Sequence, residues 1–129
     1  MILDTTAIID LLKGDKNIEE KIKYLNENNV AFLFTSISVF EIWQGSEDVG
    51  NEEKLEKIRF LLNSFGSFDF NVLCAEEAGS NHPKLKLEGQ IIDPEDSMIA
   101  GIAKINNETV LTKNAKHFSR IQGLKIESY

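Results

Sequence analysis

The distribution of apolar residues constrains the fold of this chain more than any single motif. Short apolar runs suited to buried strands occur at "MILD" (1–4), "VAFLFTS" (30–36), "FDFNVL" (68–73) and "ETVLT" (108–112), with a last candidate at "LKIES" (124–128). Between them lie segments with helical spacing. "TTAIIDLLKG" places Ala7, Ile8, Leu11 and Leu12 on one helical face and supplies Gly14 as a stop. "DKNIEEKIKYLNENN" does the same with Ile18, Ile22 and Leu25. Further helices are expected over "ISVFEIWQG", "NEEKLEKIRFLLNSFG" and "CAEEAGSNHPKLKLEG", the last broken or restarted at Pro83. Another opens near Pro94 and runs to about Asn106, and a short one covers "AKHFSRI". "SEDVGNEE" (46–53) reads as a loop. Strands that alternate with helices indicate an α/β layer fold, with a mainly parallel sheet covered on both faces.

At 129 residues with 42% hydrophobic content, the chain is expected to form a single domain over 1–129. Its one cysteine, Cys74, reads as a small buried hydrophobe and suits a reducing compartment. No apolar run approaches the roughly 20 residues of a membrane span, and a cytoplasmic location is expected. The formal charge of −7 opposes nonspecific attraction to a polyanion. Local compensation exists towards the C-terminus, where Lys104, Lys113, Lys116, Arg120 and Lys125 outnumber Glu108 and Glu127.

Several acids have ordinary explanations when taken one at a time. In "IIDPEDSMIAGIA", Asp93 is a candidate N-cap, Pro94 suits the first helical position, and Glu95 and Asp96 face the positive end of the helix dipole. Asp4 follows the first strand and would cap the next helix. Glu41 stands three residues after Ser38, a capping-box spacing. Asn114, just after "VLTK", suits a turn or cap. In a parallel sheet, however, all strand ends and the helix starts that follow them share one rim. Asp4, Glu41 and Asp96 would meet there and raise one another's pKa unless a cation lay between them. A site made of oxygen donors suits Mg²⁺ or Mn²⁺.

"MILDTTAIIDLLKG", "SVFEIWQG", "EGQIIDPEDSMIAGIA" and "VLTKNAKHFSRIQGLKIE", in this order and at this spacing, resemble PIN-domain proteins of the VapC type, ribonuclease toxins of toxin–antitoxin pairs. The resemblance extends over nearly the whole chain. It implies a PIN-like three-layer α/β fold with a mainly parallel sheet of four or five strands flanked by helices. It also implies that Asp4, Glu41 and Asp96 are metal ligands and that Asn114 fills a fourth polar position often held by aspartate. Thr6 stands where many members have asparagine, and Pro83 interrupts a helix that usually continues towards Gly89.

On this reading Asn114 orients water or phosphate, and the hydroxyls of Thr5, Thr6 and Thr112 support the ligands from behind. Lys113, Lys116 and Arg120 contact RNA phosphates without reading sequence. The expected partners are an RNA substrate, a cognate antitoxin and a second copy of the chain. His82 and His117 fit a general-base role poorly, Asp10 reads as an exposed helical residue whose distance of six from Asp4 could leave it near the rim, and Phe40, Trp43, Phe60 and Phe65 read most simply as core, where a patch left exposed would mark a dimer or antitoxin surface. The alternatives are a PIN scaffold that binds RNA or a partner with little catalysis, a receiver-like signalling domain, and a haloacid-dehalogenase-like phosphatase. A phosphatase of that kind would want an acid where Thr6 stands.

Overall fold

The structure is a computed structural model that describes residues 1–47, 52–87 and 92–129. β1 (Ile2–Leu3) leads into α1 (Thr5–Leu12), and α2 (Lys16–Glu27) leads to β2 (Leu33–Thr35). Then come α3 (Ser36–Glu47), α4 (Glu52–Ser64), β3 (Gly66–Phe68), α5 (Val72–Leu87) and α6 (Pro94–Ile105). β4 (Thr109–Thr112), α7 (Ala115–Phe118) and β5 (Lys125–Ser128) complete the order. Of the loop expected at 46–53, residues 48–51 lie outside the described residues, while Ser46 and Glu47 close α3 and Glu52 and Glu53 open α4.

The strands form one five-stranded sheet in the order β3-β2-β1-β4-β5, with every pairing parallel. Alternation along the strands divides the core between the two faces. Ile2 and Val110, in register across β1 and β4, pack with Cys74, Ile99, Ile102 and Phe118 on the α5, α6 and α7 side. Leu3 and Leu111, the next pair, pack with Ala7, Ile8, Ile18, Phe34, Ile42 and Ile58 on the α1 to α4 side. Helices therefore cover both faces, as fully apolar central strands require.

The order reverses direction between β1 and β4, so a crevice opens beyond their C-terminal ends. Asp4 stands directly after β1, and Thr112 is the last residue of β4. Gly14, at φ 72°, adopts the left-handed conformation just after α1, where glycine carries no Cβ penalty.

Four local expectations are corrected. β3 begins two residues earlier than the run "FDFNVL", because Asn71 caps a helix: its Oδ1 accepts from the Cys74 backbone N–H at 3.1 Å, and Val72 and Leu73 become helical. Gly66 admits this strand closely against β2, since a Cβ there would meet the Leu33 side chain at 2.9 Å. α5 runs through Pro83 without a break. Its packing on α6 accounts for this: Gly101 sits so near α5 that a Cβ would lie 2.7 Å from the Cys74 carbonyl oxygen. The third correction concerns aromatic residues: Phe40 and Phe60 are 58% and 77% exposed, whereas Trp43 and Phe65 pack against the core. Ile42 turns inward from α3 in place of Phe40, and Ile58 from α4 in place of Phe60. Lastly, the capping box at Ser38 and Glu41 is not made. Thr35 starts α3 instead, its Oγ1 accepting from the Ser38 backbone N–H at 3.0 Å, and Ser38 is buried inside the first turn.

Candidate active site

Asp4 is the N-cap of α1, its Oδ1 accepting from the Ala7 backbone N–H at 2.7 Å. The carboxylate does more than cap. Thr112 Oγ1 donates to Oδ2 at 2.5 Å, and Thr6 Oγ1 lies 2.9 and 3.0 Å from the two oxygens. Only 2% of Asp4 is exposed. Burial raises its pKa, and the donated hydrogen bonds from Thr112, Ala7 and Thr6 oppose that rise. A buried carboxylate with this many donors is held in one orientation.

Glu41, one turn into α3, accepts from Thr5 Oγ1 at 2.6 Å. Burial pushes its pKa up despite the Thr5 hydrogen bond, and Glu95, Asp4 and Asp93 add repulsion. Asp96 lies in the first turn of α6 and is pushed up to about 6, by burial first and then by Asp4, Asp93 and Glu41. His117 Nδ1 stands 3.7 Å from Asp96 Oδ2 and draws that pKa back down. Asp93 occupies the N-cap position expected of it, but its side chain makes no capping hydrogen bond. Its charge acts on Asp96 and Glu41 instead. The fold thus gathers three carboxylates whose ionisation is opposed by burial and by neighbouring acids, from the residue after β1, from α3 and from the first turn of α6.

Asn114 is the N-cap of α7 without a side-chain capping bond, and its backbone N–H donates to Thr112 Oγ1 at 2.9 Å. Thr112 therefore links Asn114 to Asp4. Of the residues expected to meet phosphates, Lys116 is exposed on α7 and Arg120, beyond it, is half-buried. Lys113 is engaged elsewhere: its Nζ donates to Asp10 Oδ2 at 2.9 Å. Asp10 is accordingly not an exposed helical residue, for its side chain is 15% accessible. The hydroxyl of Tyr129 donates to the same oxygen at 3.1 Å. Tyr129 lies 119 positions from Asp10, so no local pattern marks the pair. His82 is bound to Ser97 at 2.8 Å, a link between α5 and α6.

The donors that face the crevice are oxygens, which fits a hard divalent ion; burial is the first cause of each upward shift, and neighbouring acids add to it. Among the described residues, no three His, Cys, Asp or Glu side chains already form a metal-holding group. Asp4 is turned to Thr6 and Thr112, and Glu41 to Thr5. No described helix is long and apolar enough to cross a membrane.

Residues 1–124 match the PIN domain family. The chain is 28% identical over 130 residues to a tRNA(fMet)-specific endonuclease VapC of Salmonella typhimurium, an alignment that covers 99% of this chain and 96% of that protein. It is also 28% identical to ribonuclease VapC2 of Rickettsia felis, with the same coverage. The fold superposes on the Rickettsia felis VapBC2 crystal structure, bound to a promoter DNA fragment, with a TM-score of 0.88 and 27% identity over 99% of this chain and 97% of that one. Sheet order, crevice and sequence therefore agree, and the chain belongs to the PIN-domain family.

Proposed function

We propose that this chain is a divalent-metal-dependent endoribonuclease of the VapC type, the toxin of a toxin–antitoxin pair, acting as one unit over residues 1–129. The observation that carries the reading is the crevice between β1 and β4, where Asp4, Glu41 and Asp96 are all shifted towards the protonated form. Ribonuclease relatives match the chain over nearly its full length, and a VapBC complex shares its fold. Asp4, Glu41 and Asp96 would hold the ion, Mg²⁺ or Mn²⁺. When bound, such an ion supplies an acidic water and neutralises charge on the phosphate.

The protein's own contribution is orientation. Thr112, Thr6 and the Ala7 N–H fix Asp4, and Thr5 fixes Glu41. Asn114, tied by its backbone to Thr112, presents its amide to water or to a phosphate oxygen. Lys113, Lys116 and Arg120 bring positive charge to the RNA backbone and position the strand without reading bases. The protein would act in the cytoplasm as a homodimer held in check by its antitoxin.

Incubating the purified chain with a mixed RNA pool, with Mg²⁺, Mn²⁺ or EDTA, tests this. Cleavage with either ion and none in EDTA is expected. Cleavage that persists in EDTA rejects the metal-dependent reading, and RNA binding without cleavage favours the scaffold alternative.

A further inference from the structure

We infer that Asp10 and Tyr129 are positioning residues of this site, an inference that rests on the ribonuclease reading and adds two side chains to it. The geometry is a chain of contacts that leads from Asp4 to Asp10. Thr112 donates to Asp4, and Lys113, the next residue, reaches back to Asp10 on α1. Thr6, one helical turn before Asp10 on the same helix, also donates to Asp4. The Tyr129 hydroxyl donates to Asp10 Oδ2, the oxygen that also receives Lys113 Nζ. Asp10 is thus where Lys113 and Tyr129 meet.

Three elements are joined at that carboxylate: α1, the end of β4 and the residue after β5. The Tyr129 ring packs against the core cluster on the α1 to α4 side of the sheet, so its hydroxyl is presented from a fixed body. Lys113 is 57% exposed beyond its contact with Asp10. An ammonium has three donors, and Asp10 takes one of them, which leaves the others for solvent or a phosphate. Asp10 thereby converts a flexible lysine into a cation of set position at the mouth of the crevice. Tyr129 holds the Asp10 carboxylate that sets Lys113 in place.

This arrangement predicts a separation of kcat from KM that a general loss of folding would not produce. Removing the Asp10 charge leaves Lys113 cationic and makes the rim less negative, so RNA should bind at least as well while the reacting groups lose alignment. The test uses the full chain with Mn²⁺ and an RNA oligonucleotide cut by the parent; a parent that cuts no RNA with any divalent ion rejects the ribonuclease reading before any variant is compared. Asp10→Asn and Tyr129→Phe are each expected to lower kcat by about 10- to 100-fold, the scale of a small misplacement at a reacting centre. KM should stay level or fall in Asp10→Asn. The double variant should be no worse than the weaker single, because both residues act through the one Asp10 carboxylate.

RNA binding in EDTA across a salt series gives a readout apart from turnover. Asp10→Asn should bind as tightly as the parent or more so, with the parent's salt slope. Lys113→Ala should bind more weakly, with the slope reduced by about 0.7 for one lost phosphate contact on a single strand. Parental kcat in both Asp10→Asn and Tyr129→Phe overturns the inference. A raised KM at unchanged kcat also overturns it, by making the two residues part of substrate binding alone. If Asp10→Asn fails to fold, Tyr129→Phe decides, since it removes one oxygen and keeps the packed ring.

Discussion

Asp96 carries the clearest residue-scale consequence of crowding carboxylates in a crevice. Its carboxyl titrates at about 6 in the fold against an ordinary 3.8, so between these values the folded chain holds the proton more tightly than the unfolded one. Stability of the metal-free protein should therefore fall as pH rises from 4 to 6, by about 1–3 kcal/mol. Asp4 and Glu41 are shifted in the same direction and steepen the fall. Asp10, held low by Lys113, loses its stabilising charge only below the ordinary carboxylate range. Thermal unfolding in EDTA at pH 5 and pH 7 should show the higher midpoint at pH 5, and Asp96→Asn should reduce the difference. An unchanged difference would mean that Asp96 does not titrate within the crevice. Thr112→Val is expected to cost about 1–3 kcal/mol in urea unfolding, because buried Asp4 loses its shortest hydrogen bond without gaining another donor. The sequence displayed the acids but not their partners. Glu41 sits at a capping-box spacing from Ser38, yet its partner is Thr5, 36 residues away, because β1 and β2 are neighbours in the sheet. The contact of Asp10 with Tyr129 was hidden for the same reason, since α1 and the residue after β5 meet only once the sheet is assembled.

At the scale of elements, periodicity indicated every described helix and every described strand except β3, which shares only Phe68 with the expected run, and its errors fall where tertiary contact outweighs local preference. The N-terminal strand–helix unit was legible because apolar spacing, Asp4 and Gly14 agree on its limits. Pro83 was misleading because a proline in a helix interior costs about 3 kcal/mol, enough to suggest a break. α5 absorbs that cost through its close packing on α6, where Cys74 and Ala78 lie under Gly101. Pro83 is itself exposed, so its replacement should relieve helix strain and leave no cavity. Pro83→Ala is expected to stabilise the fold by about 1–3 kcal/mol in urea unfolding. Gly101→Ala should have the opposite sign, costing about 1–3 kcal/mol, because the new methyl meets backbone that cannot turn aside. If Gly101→Ala is neutral, the helices are less tightly apposed than the structure shows. If Pro83→Ala is destabilising, the proline serves the α5 end in some way that its helix position does not explain.

For the whole molecule, the governing fact is that net negative charge and a negative crevice sit in a protein proposed to act on a polyanion. Opposed ionisation at Asp4, Glu41 and Asp96 means that a cation in the crevice would relieve repulsion already present in the fold. Binding of that kind should be visible as stability: Mn²⁺ at about 100 times its Kd adds about 2.7 kcal/mol, and Asp4→Asn should abolish most of the gain. The same charge suits an arginine or lysine of the proposed antitoxin, which would enter the crevice and compete with the ion. Inhibition by the antitoxin should then weaken as Mn²⁺ is raised at fixed RNA, and it should weaken again at high salt, since Coulombic attraction at the crevice mouth is screened. Cleavage assays with the co-encoded short protein, across a Mn²⁺ series and a salt series, check both effects. Inhibition indifferent to Mn²⁺ would place the antitoxin away from the carboxylates, on a surface that blocks RNA without touching the site. Growth of a bacterial host that expresses this chain alone, then together with its neighbour, completes the test. Arrest that the neighbour relieves is expected, and harmless expression would separate a metal-dependent nuclease from a toxin.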